Sequence, residues 1–293
     1  MHEPVLLAEV IAQLAPARGG LYVDCTLGAG GHARALLEGG ATRLLGLDRD
    51  TDALTLSAEA LAPWADRVEL VHADYRQLPS LLDARGLVEV QGILADLGVS
   101  SMQLDQADRG FSFREDAPLD MRMDRTQGET AAERLASADE ASIADAIYQF
   151  GEERHSRRIA RAIVAARATA PIESTGQLAA IVRRAIPTRG WQRIDPATRT
   201  FQALRIWVNG ELEGLATFLR DAVSRLATGA RIAIIAFHSL EDRIVKHTFR
   251  ALAQDPAQRL GILTKRPLEA TDEEVARNPR ARSAKLRVAE RLA

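Results

Sequence analysis

A chain of 293 residues, 46% apolar and 27% charged, has the make-up of a folded globular protein of one large or two ordinary domains, which excludes a disordered or fibrous chain. No apolar run approaches the roughly 18–20 residues of a membrane span, and the first residues lack a basic-then-apolar leader. The single cysteine, Cys25, can form no internal disulfide, so a reducing compartment, the cytoplasm, is the expected location.

Net charge is −2, so the molecule is no polycation, but its charge is uneven. Residues 154–205 hold eleven arginines against two acids, and residues 105–149 hold eleven acids against five arginines. Such asymmetry suits a polyanion partner on one face. Thirty-five arginines against three lysines mean that arginine abundance alone decides little.

Taken in order, residues 5–15 have apolar positions at helical spacing. A strand over 21–25 follows, then the turn Gly28-Ala29-Gly30-Gly31-His32 and a helix stopped by Gly39-Gly40. Buried-looking strands recur at 43–48, 68–75 and 92–97, with a helix over about 51–62, and this alternation predicts a doubly wound parallel α/β sheet. It then stops. Residues 105–125 read as a long ordered loop, and helices are expected at about 130–149, 152–168 and 174–186. The last has a Ser174-x-x-Gln177 capping box and ends at Pro187. Asp195-Pro196 opens another helix, which on its leucine spacing runs on past Gly210 and Gly214 to Gly229. A strand returns at 231–237, a helix follows from Leu240, and weaker strands near 260–265 and 284–289 complete the sheet. The expected domains are 1–104 with 206–293, interrupted by a helical insertion over 105–205.

In such sheets ligands sit beyond the carboxyl ends of the strands. The glycine turn, Asp48, Asp74-Tyr75 and Asp96 all fall at strand ends and aim at one crevice. Asp48 stands twenty residues past Gly28, the spacing at which a carboxylate meets ribose hydroxyls, and Tyr75 can lie against an adenine. An adenosine-containing cofactor follows. Gly28-x-Gly30-x-x-Ala33 serves an NAD(P)-dependent oxidoreductase as well as a methyltransferase, and both readings stand at this point, beside a non-catalytic RNA-binding protein.

Longer runs narrow the choice. Pro4-Val5-Leu6-Leu7, Gly28-x-Gly30-Gly31-His32, Asp96-Leu97-Gly98-Val99-Ser100-Ser101 and Arg109-Gly110-Phe111-Ser112-Phe113 are four of them. Leu119-Asp120-Met121-Arg122-Met123-Asp124, the run from Thr198 to Asn209, that from Phe237 to Lys246, and Asn278-Pro279-Arg280-Ala281-Arg282-Ser283 are the others. With these the chain resembles, over nearly its whole length, the bacterial 16S ribosomal RNA cytosine-N(4) methyltransferase (MraW) family. One departure is a trimmed segment before Asn278. The resemblance implies a Rossmann-like S-adenosylmethionine-dependent sheet with an inserted all-helical domain. It also implies methylation of one cytidine of 16S rRNA, conventionally numbered 1402, in the small ribosomal subunit. Donor contacts carry over to Gly30, Gly31, His32, Asp48, Tyr75, Asp96 and Gln103. Oligomeric state, monomer or homodimer, stays open.

An exocyclic amine needs an acceptor for its hydrogen, and Asp96 is the first candidate. It occupies the slot after strand four, where many amino-methyltransferases carry an Asp/Asn/Ser-Pro-Pro-aromatic run; here the prolines are absent. His238 is the second; alternatively it is a strand-end histidine beside a Ser239-x-x-Asp242 capping box. Arg154, Arg157, Arg158 and Arg161 share one helical face for phosphates, unless Glu152 and Glu153 pair them. Phe111 and Phe113 either stack on an extruded cytosine or anchor their loop. No His/Cys/Asp spacing suggests a metal site.

Overall fold

The computed structural model describes residues 4–186 and 195–293. Its elements in chain order are α1 (Leu7–Leu14), β1 (Leu21–Asp24), α2 (Gly31–Glu38), β2 (Arg43–Asp48), α3 (Thr51–Ala60), β3 (Val68–His72), α4 (Leu78–Ala84), β4 (Val90–Asp96), α5 (Ser101–Asp105), α6 (Ala131–Ser137), α7 (Glu140–Gly151), α8 (Ser156–Arg167), α9 (Thr175–Ala185), α10 (Ala197–Asn209), α11 (Leu215–Ser224), β5 (Leu226–Ala236), α12 (Ser239–Gln254), β6 (Leu260–Ile262), α13 (Asp272–Arg277) and β7 (Lys285–Arg291). Contacts divide them into two units. Residues 4–98 and 212–293 form one, residues 99–211 the other, and the limits fall outside the 105 and 205 read from the sequence.

The first unit holds a seven-stranded sheet in the order β3-β2-β1-β4-β5-β7-β6. Five strands are parallel, as the alternation predicts. The sheet is mixed rather than wholly parallel, because β7 runs antiparallel to β5 and β6 antiparallel to β7. Side chains alternate across each strand, so neighbouring residues feed opposite cores. Val23, Leu45, Ile93 and Ile232 meet α4, α11 and α12 through Leu78, Leu219 and Phe249. Tyr22, Leu44, Leu94 and Ala233 meet α1 and α2 through Val10 and Leu36. Parallel registers Asp24↔Leu94 and Asp24↔Gly46 bring the carboxyl ends of β1, β2 and β4 to one sheet edge.

The expected helix from Asp195 to Gly229 is instead α10, α11 and the start of β5. Gly210 takes a left-handed conformation and caps α10, and Gly214, also left-handed, opens α11. Residues 226–230 then pair as strand, their small residues hiding any strand period. The expected 130–149 helix is two, α6 and α7. In the helical unit the Ser174–Gln177 capping box forms and Asp195 Oδ1 accepts the Ala197 amide; Pro187 lies outside the described residues. This unit's core is Leu119, Ile143, Ile147, Ile159, Ile163, Leu178 and Phe201, with their neighbours.

Gly92 on β4 sits under the Tyr22 ring, which an added Cβ would overlap. Overpacking a core of this kind costs about 1–3 kcal/mol. Gly92→Ala is expected to lower stability by that amount in denaturant unfolding.

Candidate active site

The turn between β1 and α2 takes its shape from two left-handed glycines, Gly28 at φ +53° and Gly30 at φ +78°. A Cβ on Gly28 would meet no atom, so backbone conformation alone asks for glycine there. At Gly31 a Cβ would overlap Pro4 Cγ, so the N-terminal segment requires that glycine.

Carboxyl groups from three adjacent strands surround the turn. Asp48 Oδ2 accepts the Gly28 amide at 2.8 Å and Oδ1 accepts the Asp50 amide at 2.8 Å. Asp24 is 1% exposed, and its Oδ1 accepts the Thr26 amide at 3.2 Å. The Thr26 hydroxyl in turn accepts the Asp96 amide at 2.6 Å. Asp96 Oδ1 is buried with no hydrogen-bond partner, and Oδ2 lies 4.0 Å from His32 Nδ1. Burial raises Asp24 to about 7 against the opposing Thr26 amide, with the Asp48 charge adding to the rise. Burial likewise raises Asp48 to about 6, and it holds Asp96 well above the carboxylate range with help from the Asp24 and Glu241 charges. His32 is buried, with Nε2 3.0 Å from the Val5 carbonyl oxygen. A carbonyl only accepts, so Nε2 carries a proton and Nδ1 is the nitrogen turned toward Asp96.

At the end of β3, Asp74 caps a short 3-10 turn and binds Arg76 through both oxygens at 2.7 Å. Tyr75 opens that turn, its ring centroid 4.6 Å from that of Phe218. Gly28, Gly30, Gly31, His32, Asp48, Tyr75 and Asp96 thus all belong to the sheet unit and its strand ends. Gln103 belongs to the helical unit. It is 4% exposed and completes a capping box with Ser100 at the start of α5.

His238 is itself the cap of α12: its Nδ1 accepts the Glu241 amide, and Glu241 Oε2 accepts the Phe237 amide. The Ser239-x-x-Asp242 box is therefore corrected to His238 and Glu241, since Asp242 is engaged by Arg287 at 2.6 Å. Phe111 is 7% exposed within the helical core. Phe113 packs edge-on against Phe201 at 4.6 Å, with the Arg183 guanidinium over its ring. Phe111 thus packs in the core of its unit, and Phe113 is half-buried against it. Arg157, Arg158 and Arg161 are exposed along α8, while Arg154 lies in the turn before it rather than on the helical face. Glu153 pairs with Arg199 and caps His155, so it does not neutralise the stripe. The sequence reading missed Thr26, whose position just past β1 was its only signal.

The raised Asp24 group leaves a mark on stability. Between the ordinary value of 3.8 and about 7, the folded state keeps a proton that the unfolded chain has lost. Stability therefore falls as pH rises across that window, by a total on the order of 4 kcal/mol. Asp24→Asn retains an acceptor for Thr26 and never ionises. Its thermal midpoint is expected to exceed that of the unaltered protein at pH 8, and the gap to close toward pH 4; a constant gap would place Asp24 in water.

Comparison with known proteins bears on this geometry. The family model described as the MraW methylase family matches residues 1–292. A protein of Nitratidesulfovibrio vulgaris named ribosomal RNA small subunit methyltransferase H is 51% identical, the match covering 100% of this chain and 86% of the relative. Proteins of the same name from Geotalea uraniireducens and Bradyrhizobium diazoefficiens are 48% and 51% identical, over 99% of this chain and 98% and 91% of theirs. With these matches and the glycine turn and strand-end carboxyl groups in place, this chain belongs to the MraW methylase family.

Proposed function

We propose that this protein transfers the methyl group of S-adenosylmethionine to the exocyclic N(4) amine of a cytidine, conventional position 1402, in the 16S rRNA of the small ribosomal subunit. The observation that carries the reading is family membership over the whole chain, joined to a carboxyl-lined glycine turn at one sheet edge. The residues suit a cationic adenosine ligand. Asp24, Asp48 and Asp96 supply carboxyl groups that a cation beside them would help to ionise, Asp96 Oδ1 is an acceptor without a hydrogen bond, and the space beside Gly28 is open. A dinucleotide shares the glycine pattern and the Asp48 spacing, and it is the family match over residues 1–292 that favours the methyl donor.

When bound, the donor supplies an electrophilic methyl on a sulfonium. Gly30, Gly31 and His32 would line its methionine side, Asp48 its ribose, and Tyr75 its base. A cytosine amine is a poor nucleophile, because its lone pair is delocalised into the ring. Asp96 accepts an amine hydrogen, which returns that pair to nitrogen, and holding the amine in line contributes up to ~7–11 kcal/mol. Positive charge beside Asp96 lowers its affinity for a proton and so readies it as acceptor. His32 Nδ1, 4.0 Å from Oδ2 and left as an acceptor by the Nε2 proton, is placed to take a proton from Asp96. His238, the second candidate, has its Nδ1 committed to the α12 cap, which leaves Nε2 as its one ring nitrogen for a proton.

Arg157, Arg158 and Arg161 on α8 offer three exposed guanidiniums for phosphates, with Arg154 just ahead of them. Replacing the α8 three by alanine is expected to weaken RNA binding and to reduce the slope of log affinity against log salt by about 2–3. Affinity for S-adenosylhomocysteine should not change. The reaction itself is tested by mass spectrometry of 16S rRNA from a strain lacking the gene. Loss of N(4)-methylcytidine, restored by the intact gene, is the expected result; an unchanged signal would leave a binding role only.

A further inference from the structure

The segment before α1 is held in an unusual way. Leu6 is fully buried and takes a left-handed backbone at φ +54°, ψ +34°. For a residue with a bulky side chain this backbone is strained and persists only where the surroundings impose it. What imposes it comes from the other end of the chain. The Leu6 amide donates to Glu274 Oε1 at 2.7 Å, in a buried bond spanning 268 positions.

Glu274 is 8% exposed and stands on α13, where Thr271 caps the helix by accepting the Glu274 amide at 3.2 Å. In a Thr-x-x-Glu box the glutamate side chain reaches back to the cap residue's own amide. Here Oε1 is directed to Leu6 instead.

The held segment touches the proposed site twice. The Pro4 ring lies over Gly31, where it leaves no room for a Cβ. The Val5 carbonyl accepts the His32 Nε2 proton at 3.0 Å, which leaves Nδ1 as the nitrogen facing Asp96. Orientation and tautomer of His32 are thus set by Val5, Val5 by the strained Leu6, and Leu6 by Glu274. A ring nitrogen fixed by a carbonyl on its far side is a recognised means of tuning the near one.

We propose that Glu274 is a positioning residue for the methyl-donor site, acting through residues 4–6 on Gly31 and His32. This rests on the functional reading above. It makes α13, remote in sequence from the ends of β1, β2, β3 and β4, part of what shapes donor binding.

The test uses the full chain and S-adenosylhomocysteine as the probe, with calorimetry for affinity and thermal unfolding for the fold. Glu274→Ala removes the acceptor and is expected to weaken binding about tenfold, the size of one lost buried hydrogen bond. Glu274→Gln keeps an acceptor oxygen and should bind within about twofold of the unaltered protein. Nitrogen NMR of the His32 ring, assigned by comparison with His32→Gln, should show the Nε2-protonated tautomer in the unaltered protein and a shift away from it in Glu274→Ala. A folded Glu274→Ala protein with unchanged affinity and an unchanged His32 signal overturns the proposal and leaves Glu274 a purely structural group. Should Glu274→Ala fail to fold, Pro4→Gly decides: weakened binding supports the strap, unchanged binding overturns it. If the unaltered protein binds no S-adenosylhomocysteine, the methyl-donor reading fails, while the His32 signal still judges the link from Glu274 to the ring.

Discussion

The candidate site of the sheet unit depends on one tolerated expense: three carboxyl groups held at neighbouring strand ends, Asp24 fully buried and Asp48 and Asp96 half-buried. Isolated burial of such groups is unfavourable, and here no arginine or lysine answers Asp24 or Asp96 directly among the described residues. Backbone amides provide the answer. Thr26, Gly28 and Asp50 turn their N–H groups inward, and Gly28 can do so because its left-handed conformation carries no strain. The turn is therefore shaped by the carboxylates as much as by any ligand. Glycine cluster and acid cluster are one device, closed on the Asp96 side by the Thr26 hydroxyl.

Much of this was legible because parallel strands leave strong traces. Runs such as Leu44-Leu45-Gly46-Leu47 are apolar on both faces, and each carboxylate falls where its run ends. What was not legible depended on partners distant in sequence. Residues 226–230 become strand only because Val90 pairs with Leu226 across a bulge; Ala227-Thr228-Gly229-Ala230 by itself reads as a helix tail or turn. The antiparallel sense of β7 is invisible in a run of residues that alternates in either direction. Phe111 and Phe113 stand in a charged, glycine-containing stretch that reads as surface, and only the packing of the helical unit turns them inward. At His238 the spacing Ser239-x-x-Asp242 mimics a capping box one residue out of register, and Arg287 on β7 settles the matter by claiming Asp242.

Charge in the helical unit shows the same dependence. The acidic stretch and the arginine-rich stretch are not two opposing faces. Asp120 binds Arg122 through both oxygens, Arg125 meets Asp108, and Asp124 accepts Thr126 and Gln127, so much of the acidic loop is spent on its own folding. Arg183 and Arg205 are likewise taken by Asp195 and Glu211. Among the exposed arginines of α8, Arg161 keeps only a long 3.8 Å contact with Glu140. The count of charges along the chain overstates both the acidity of one stretch and the basicity of the other. Among the described residues, α8 presents a short row of exposed arginines to a polyanion.

The carboxyl cluster also links binding to folding. Each raised carboxyl group is a place where the folded protein is less stable at neutral pH than it would be with a neutral side chain, as the sign for Asp24 requires. A cation entering beside these groups lowers their proton affinity and removes that cost, so a positively charged ligand draws binding energy from strain already present in the fold. A neutral ligand of the same shape gains less from the cluster. On the proposed function, methyl transfer changes the donor in that very respect, from sulfonium to thioether, and the thioether is the form that gains less from the cluster. The electrostatic cost built into the sheet edge is thus one that a cationic ligand relieves, and the parallel registers of β1, β2 and β4 are what bring the three acids close enough to share it.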